Sequence, residues 1–320
     1  MSDKKGINMP NLLHKITVYN NLNSAFTRVK QNHGCAGADG VWINDFETDL
    51  VEQLRSLQNS LLEKQYHPFP LLRFPIPKPT GGGKRFLSVP TVRDRVAQTA
   101  VFLKTKAKFE AEFEHVSHAY REGRGVHTAV DQIKQWRDKG YLYAVDADID
   151  SFFDNVAHNL LLRKVEKIIP QPDILRLFEK WIKAEVYDGK KIWTLDKGIP
   201  QGSVVSPMLA NLFLDELDET LMSFGKKLVR FADDFLILSK TEAEAEQDIE
   251  LTDMLLEDMK LDLNPLKTKI VSFDSGFKFL GAIFLHGDIY LPFPEKKEKR
   301  QPPKMPPPLT LERYLELRNK

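Results

Sequence analysis

The sequence predicts a mixed fold of the α/β (α+β) type, because segments with the pattern of strands alternate with segments with the pattern of helices. Residues 141–148 alternate apolar and polar side chains with the period of two that a strand requires, and a helical pattern follows over residues 154–168. Residues 227–239 contain two apolar runs on either side of an aspartate pair, which predicts a β-hairpin. This order is typical of sheets that are covered by helices.

Each predicted helix has a recognisable start or an apolar face. In the N-terminal half, Asn44 or Asp45 can cap one helix, and a second helix is expected over residues 94–113. The apolar faces that predict them are Phe46, Leu50, Leu54, Leu57 and Leu61 in the first helix, and Val96, Ala100, Leu103 and Ala107 in the second.

Two further helices are expected on either side of the hairpin. Ser206 and Pro207 are typical of a helix start, and Gly225 is expected to end that helix. Thr241 and Glu244 have the spacing of a capping box at the start of the next helix. The hairpin therefore connects two helices.

Composition indicates a globular protein of the cytoplasm. Hydrophobic residues make up 42% and charged residues 28% of the 320 residues, which is enough for a sizeable core. No run of about eighteen apolar residues occurs, so no membrane span or membrane partner is expected. The single cysteine, Cys35, excludes an internal disulfide and a cysteine-based zinc site. The net charge of +1 argues neither for nor against nucleic acid.

The two ends of the sequence differ in character from the middle. The first ten residues are polar and lack the apolar core of a signal peptide. Residues 292–308 combine seven prolines with a run of Lys and Glu, which is typical of an extended linker, and residues 309–320 predict a short helix. We expect this segment either to dock on a partner or further domain, or to be a frayed terminus.

Two groups of aspartates carry the chemistry. Asp233 and Asp234 lie between two apolar strands, where a tight turn brings adjacent carboxylates together. Asp146, Asp148 and Asp150 share one face of an extended chain because side chains alternate along a strand. Either group alone is compatible with an ordinary surface. Together they suit nucleotidyl transfer, in which carboxylates from two elements hold two Mg²⁺ ions about 3.5–4 Å apart.

Ordered sequence blocks resemble the group II intron-like reverse transcriptases. The first catalytic block matches residues 148–154 (DIDSFFD), the nucleotide-pocket block residues 198–203 (GIPQGS), and the metal-binding turn residues 231–234 (FADD). Residues 279–281 (FLG) resemble the block that grips the primer, and two blocks before residue 96 resemble the fingers. The ordered set spans residues 37–284 and is far more specific than any single block.

The resemblance implies a right-hand polymerase with fingers and a palm that holds a small antiparallel sheet backed by helices. It places an N-terminal extension in residues 1–36, the fingers in residues 37–140 and the palm in residues 141–285. Residues 286–320 follow as the proline-rich linker and short helix, so a thumb is expected to be short or absent.

The same resemblance assigns roles to individual residues. Asp148, Asp233 and Asp234 are expected to bind two Mg²⁺ ions and to be catalytic, with the backbone carbonyl of Ile149 as a further metal ligand. The nucleotide-binding residues implied are Lys78, Arg85, Phe153, Gln201, Gly202 and Lys267, with Phe153 excluding ribonucleotides. The primer or template residues implied are Phe231, Leu280 and Gly281. Arg121 and Arg124 are a separate hypothesis for contacts to template phosphates.

The substrates implied are an RNA template, a DNA or RNA primer and dNTPs. Residues 230–238 and 273–281, with the proline-rich ending, are most similar to the CRISPR-associated reverse transcriptases, which implies an adaptation integrase as partner and spacer acquisition from RNA.

Three alternatives stay open: a group II intron-derived or phage-defence reverse transcriptase outside CRISPR, a catalytically silent RNA-binding scaffold, and a nucleotide cyclase. The cyclase has no need of the fingers and pocket blocks.

Overall fold

Helices and three small sheets make up the computed structural model, which describes residues 11–77, 83–286, 288–291, 303 and 305–319. Within these residues, no helix is both long enough and apolar enough to cross a membrane. In chain order, the helices are α1 (Leu12–Thr17), α2 (Tyr19–Gln31), α3 (Ile43–Thr48), α4 (Leu50–Leu62), α5 (Val92–Glu110), α6 (Val126–Arg137), α7 (Phe152–Asn155), α8 (His158–Ile168), α9 (Pro172–Ile182), α10 (Ser206–Ser223), α11 (Glu242–Asp258) and α12 (Leu311–Arg318).

The strands are short and belong to sheets with different partners. They are β1 (Leu71–Pro77), β2 (Lys84–Val89), β3 (Tyr143–Asp148), β4 (Glu185–Tyr187), β5 (Ile192–Thr194), β6 (Lys227–Phe231), β7 (Asp234–Ser239), β8 (Lys269–Ser272), β9 (Phe277–Phe279), β10 (Ala282–Leu285) and β11 (Asp288–Tyr290).

The palm sheet is antiparallel and has the strand order β6-β7-β3-β8. The predicted hairpin is confirmed, because β6 and β7 pair from Lys227 with Leu238 to Phe231 with Asp234. Strand β3 lies beside β7 with Asp148 opposite Asp234. Pairing in this register brings the two predicted aspartate groups to the same end of the sheet.

The fingers sheet has the order β2-β1-β4-β5. Strands β1 and β2 form an antiparallel hairpin, and β4 adds to β1 in parallel. Strands β4 and β5 follow the expected palm boundary at residue 141 and join this sheet beside β1, while the division into fingers and palm stays a prediction. A third antiparallel sheet, β9-β10-β11, follows the palm.

One main hydrophobic core runs through both predicted regions. Its buried side chains include Phe26 of α2, Val96 of α5, Phe178 of α9, Phe213 of α10 and Phe235 of β7. The segment expected to be an N-terminal extension therefore packs into the common core through α1 and α2. Fingers and palm share this hydrophobic core, and the packing of Phe235 into it positions the palm sheet.

Several helix predictions need correction in detail. The single helix expected around Phe46 is two helices, because the chain leaves helical geometry at Asp49, and its first cap lies at Trp42, whose N–H donates to Asp45. The helix expected over residues 154–168 is likewise interrupted between α7 and α8. In α5, Val96 is buried as expected, but Ala107 is exposed.

The C-terminal segment folds back onto the fingers sheet. Most of the predicted linker, residues 292–302 and 304, lies outside the described residues, but Leu309 is only 3% exposed in a cluster with Leu72, Phe74 and Tyr187. The Leu309 N–H donates to the carbonyl of Ala38 at 2.6 Å. The end of the segment is thus part of the fingers core, where its proline content had suggested an extended linker or partner-docking segment.

Helix α12 is anchored by polar contacts as well. The Tyr314 hydroxyl donates to Glu185 of β4 at 2.9 Å, and Arg318 pairs with the same carboxylate at 3.4 Å. The predicted short helix after residue 309 is confirmed, and its inner face is occupied by the protein's own fingers.

Candidate active site

Three aspartates meet at one end of the palm sheet. Residues 231–234, here called the aspartate turn, connect β6 to β7 in a two-residue loop, and Ala232 takes the left-handed conformation with φ +62°. Asp233 lies in the loop and Asp234 begins β7 opposite Asp148. The charges of both Asp146 and Asp148 in β3 act on Asp234, whereas Asp150, predicted to share their face, lies in a turn beyond the end of β3 and is exposed.

The aspartates resist simultaneous ionisation. Desolvation by burial, together with repulsion from Asp233, Asp148 and Asp146, raises the pKa of Asp234 to about 6. Burial is the main cause that raises the pKa of Asp233, with Asp148 adding to it. Because a nearby dication favours the ionised form of each carboxyl group, these side chains are suited to metal binding.

The donor set fits Mg²⁺ in its chemistry. The ligands that Mg²⁺ prefers are hard oxygens, and Asp148, Asp233 and Asp234 supply carboxylates. The Asp150 N–H donates to the carbonyl of Asp262, and the Asn264 N–H donates to the carbonyl of Asp148. Because backbone groups alternate in direction along an extended strand, the carbonyl of Ile149, between these two residues, points to the opposite side, where β7 lies.

Among the described residues, the carboxylates do not converge on one point. Across the described ranges, no three His, Cys, Asp or Glu side chains converge tightly enough to hold an ion as they stand. Lys267 instead reaches the group, with its Nζ atom 2.8 Å from Oδ2 of Asp148. This contact raises the pKa of Lys267. The Asp148 carboxylate is therefore paired with Lys267 in this structure.

One cationic side chain of the β1–β2 hairpin, Arg85, lies near this end of the palm sheet. Arg85 in β2 is exposed and pairs across the β1–β2 hairpin with Ile76. The charge of Arg85 and the charges of Asp233 and Asp234 all act on the pKa of Tyr120, so Arg85 lies near the aspartates. Lys78, the other predicted triphosphate ligand, lies outside the described residues.

Two residues predicted to bind the nucleotide, half-buried Phe153 and Gln201, line one small pocket together with Phe86 and Ser88. The Ser88 N–H donates to the carbonyl of Gln201 at 2.6 Å, so β2 of the fingers supports the pocket block. Gly202 follows, with φ +115° and close to the Ser88 carbonyl. Phe153, Gln201 and Gly202 are thus brought together, as the resemblance implies.

A glycine allows the pocket block to lie directly on the first catalytic block. A Cβ atom on Gly198 would lie 2.8 Å from the carbonyl oxygens of both Phe153 and Asp154. The Ile199 N–H donates to the Phe153 carbonyl at 2.7 Å. Since no side chain fits at Gly198, the close approach that positions Phe153 requires glycine there.

The residues predicted to contact the primer lie on tight turns. Leu280 and Gly281 both have positive φ angles, of 50° and 85°, and connect β9 to β10 as a two-residue hairpin turn. Phe231 is half-buried at the end of β6. No distance on the structure joins these residues to a primer, so their role stays a prediction.

Arg121 and Arg124 are occupied by the protein itself. The Arg121 side chain is nearly buried, pairs with Glu110 at 2.7 Å and donates to the backbone carbonyls of Phe113, Glu114 and Ser117. This geometry favours a structural role for Arg121 over the predicted phosphate contact. Arg124 donates to the His115 carbonyl at 2.8 Å, and for it the template hypothesis stays a prediction.

Sequence reasoning missed two features of the site. Tyr120 is 58% exposed, has φ +60°, and has its pKa raised by burial and by Asp233. Beneath the turn, Arg230 and Asp218 form a completely buried ion pair. A signal existed for the second feature, because α10 carries Asn211, Asp215 and Asp218 on one face, at spacings of four and then three residues, among buried apolar side chains.

Comparison with known proteins identifies relatives of this arrangement. The family described as reverse transcriptase (RNA-dependent DNA polymerase) matches residues 76–284. Protein YkfC of Escherichia coli (strain K12) is 32% identical over 284 residues, covering 77% of this chain and 74% of YkfC. The group II intron-encoded protein LtrA of Lactococcus lactis subsp. cremoris is 31% identical over 206 residues, covering 64% of this chain and 34% of LtrA.

A solved telomerase structure has the same fold. Telomerase from Candida tropicalis, in complex with a TWJ fragment of telomeric RNA, matches with a TM-score of 0.55 at 13% identity, covering 77% of this chain and 49% of that chain. A partial Cas6-RT-Cas1–Cas2 complex matches with a TM-score of 0.49 at 26% identity, covering 78% of this chain and 42% of that chain. The chain thus spans about a third of LtrA and less than half of either structural relative.

Proposed function

The chain belongs to the reverse transcriptase family, and we propose that it is an RNA-directed DNA polymerase that makes cDNA by two-metal nucleotidyl transfer. The observation that carries this proposal is the register of the palm sheet. It sets Asp148 opposite Asp234, with Asp233 in the adjoining turn. Members of the family use divalent metal ions, and the all-oxygen donor set supports Mg²⁺ here.

In the proposed mechanism, the aspartates hold the metal ions at the meeting point of primer and nucleotide. The ligands are the carboxylates of Asp148, Asp233 and Asp234 and the carbonyl of Ile149. When bound, two Mg²⁺ ions activate the primer 3′-hydroxyl and stabilise the leaving pyrophosphate. Lys267, already 2.8 Å from Asp148, is then free to turn towards the phosphates.

The surrounding residues bind and orient the substrates. Arg85 and Lys78 hold the triphosphate of the incoming dNTP as the fingers close. Phe153 packs against the sugar and leaves no room for a 2′-hydroxyl, while Gln201 and Gly202 shape the space for base and template. Phe231 and the Leu280–Gly281 turn hold the primer end.

Primer extension tests this function. The wild-type protein is mixed with an RNA template, a labelled primer, dNTPs and Mg²⁺, and is compared with Asp233→Ala after both are shown to fold. We expect extension by the wild type and none by the variant. A folded wild type that makes no product with Mg²⁺ or Mn²⁺, alone or with a partner integrase, would move the assignment to a silent RNA-binding scaffold.

We further propose that the protein works with a CRISPR adaptation integrase in spacer acquisition from RNA. The support is the sequence similarity of residues 230–238 and 273–281 to CRISPR-associated enzymes. Since Leu309 packs within the fingers, a partner would meet the outer face of α12, where Leu311 and Leu315 are exposed. A Leu311→Glu/Leu315→Glu variant should lose stimulation by the integrase while keeping basal extension. Extension that the integrase never stimulates would favour a lineage outside CRISPR.

A further inference from the structure

A buried ion pair lies directly beneath the aspartate turn. Arg230, one residue before the turn, and Asp218 of α10 both have completely buried side chains. The Arg230 Nε atom donates to Oδ1 of Asp218 at 2.7 Å, and its Nη2 atom contacts Oδ2. The guanidinium therefore grips the carboxylate with two parallel hydrogen bonds, which fix its plane and direction.

The free edge of the same guanidinium supports the turn. The Nη1 atom of Arg230 donates to the carbonyl of Ala232 at 3.0 Å. Ala232 directly precedes Asp233 and has the left-handed conformation, which is unfavourable for alanine and persists only where its surroundings hold it. Arg230 supplies that support from inside the protein.

A second branch of the network reaches Tyr120. The Nη1 atom of Arg230 also donates to Oδ1 of Asn211 at 3.1 Å, and Nδ2 of Asn211 donates to the Ala119 carbonyl at 2.8 Å. The next residue is Tyr120, which is also left-handed and lies close enough to Asp233 for that charge to act on its pKa. One guanidinium thus connects two strained backbone positions near the aspartates.

Backbone pairing ties the same two segments together. The Arg230 N–H donates to the carbonyl of Val116 at 2.8 Å, and the His118 N–H donates to the carbonyl of Arg230 at 2.9 Å. The loop that carries Tyr120 is therefore an added edge of the palm sheet beside β6. A shift of Arg230 would move the turn and this loop together.

We propose that Arg230 is a positioning residue, which sets the metal-binding geometry of Asp233 through Ala232 and places Tyr120 through Asn211. The proposal rests on the proposed function of the aspartates as metal ligands. A buried ion pair is often no more stabilising than an apolar pair of equal volume, so stability alone is a weak reason for its presence. The planar fork of arginine, by contrast, fixes several acceptors at once, and lysine lacks that geometry.

Two variants separate positioning from folding. Arg230→Lys keeps a cation opposite Asp218 but cannot donate to Asp218, Asn211 and Ala232 together. Arg230→Met with Asp218→Leu replaces the pair by apolar side chains, so the fold is expected to survive without an unpaired buried charge. Lys226→Met is the matched control, because it removes an ion pair with buried Asp248 at the other end of the same hairpin.

Each protein is examined by thermal unfolding without metal, by Mn²⁺ titration followed by electron paramagnetic resonance, and by primer extension. We expect both Arg230 variants to fold, to bind Mn²⁺ at least about tenfold more weakly, and to lose at least about tenfold in kcat with the KM for dNTP changed less than about threefold. The control should keep its Mn²⁺ affinity within about twofold, since it leaves the turn intact.

A folded Arg230 variant with the Mn²⁺ affinity and kcat of the wild type would overturn the proposal. Failure of both variants to fold would overturn it too, since the pair would then be needed for the fold as a whole. The Mn²⁺ titration does not depend on polymerisation. If the wild type binds Mn²⁺ and the variants do not, the inference stands even where no DNA synthesis is found.

Discussion

At the aspartate turn, the β6–β7 hairpin gathers like charges, whereas at its other end it neutralises them. Asp233 and Asp234 approach Asp148, and the pKa of Asp234 rises to about 6 as burial and repulsion accumulate. At the base, Asp248 is buried but pairs with Lys226 at 2.5 Å and accepts a hydrogen bond from Ser239 at 2.7 Å. One hairpin thus has an end suited to binding cations and an end that is already satisfied.

The difference teaches where to look for function. A neutralised carboxylate serves the fold, and its loss is expected to appear in stability. Carboxylates held together against their repulsion weaken the fold slightly and are useful only when an ion or substrate joins them. The buried Arg230–Asp218 pair lies between these extremes, since it is neutral in itself but contacts the turn.

The largest effect is expected at Asp148, which lies in β3 opposite the turn. Asp148→Asn keeps the shape of the side chain but removes a charge proposed to bind metal, so primer extension should fall by at least about 10³-fold. Asp150→Asn is the control, because Asp150 is exposed two residues further along the same segment. Steady-state rates should place the control within about fivefold of the wild type; equal losses in both variants would remove the special role of Asp148.

A large effect on stability is expected beneath the turn. Asp218→Asn leaves the Arg230 charge buried without its partner, which should lower the free energy of unfolding by about 3–5 kcal/mol. Urea titration measures the change. At the base of the hairpin, Lys226→Met should cost less, roughly 1–2 kcal/mol, because Lys226 is partly exposed. A reversed order would mean that the buried pair contributes little to the fold.

A smaller effect, dependent on pH, is expected at Asp215. Burial, and then repulsion from Asp218, raises the pKa of Asp215 to about 7. The folded protein therefore holds a proton that the unfolded chain releases, and stability is lost as pH rises from about 4 to 7. Asp215→Asn should remove this loss, with a gain of roughly 1–2 kcal/mol at pH 8 and almost none at pH 4. Unfolding curves at the two pH values measure this difference. An equal gain in the free energy of unfolding at both pH values would contradict the raised pKa of Asp215.

The smallest effect is expected at Phe231. The family resemblance implies that tyrosine is the commoner residue at the start of this turn, and we expect the ring of Phe231 to pack in the same way with or without a hydroxyl. Phe231→Tyr should therefore change the extension rate by less than about threefold. A gain of tenfold or more would show that the missing hydroxyl limits this enzyme.

Local signals allowed much of the hairpin and its carboxylates to be predicted. An aspartate pair between two apolar runs indicates a turn at once, and the alternation before Asp148 indicates a strand. Register cannot be obtained this way, because the pairing of Asp148 with Asp234 depends on tertiary contacts. The Arg230–Asp218 pair cannot be predicted from local signals either, although polar residues on the buried face of α10 indicate a buried network.

For the C-terminal segment, the sequence predicts the local conformation but not the tertiary contacts. Its proline content predicts an extended chain, and that description is compatible with residues 305–309, which lack helix and strand. Composition does not reveal that Leu309 enters the fingers core, since a few scattered apolar side chains, with Met305 and Leu317 beside Leu309, make the contact. The break at Asp49 between α3 and α4 was likewise invisible to an apolar pattern that continues on either side of it.

The most direct test of the central claim, that this is an RNA-directed DNA polymerase, is a template swap. Two RNA templates of unrelated sequence are copied from the same primer with dNTPs and Mg²⁺, and the products are sequenced. The account predicts DNA complementary to each template. DNA of the same sequence from both templates, or DNA made without either, would contradict it and point to untemplated synthesis.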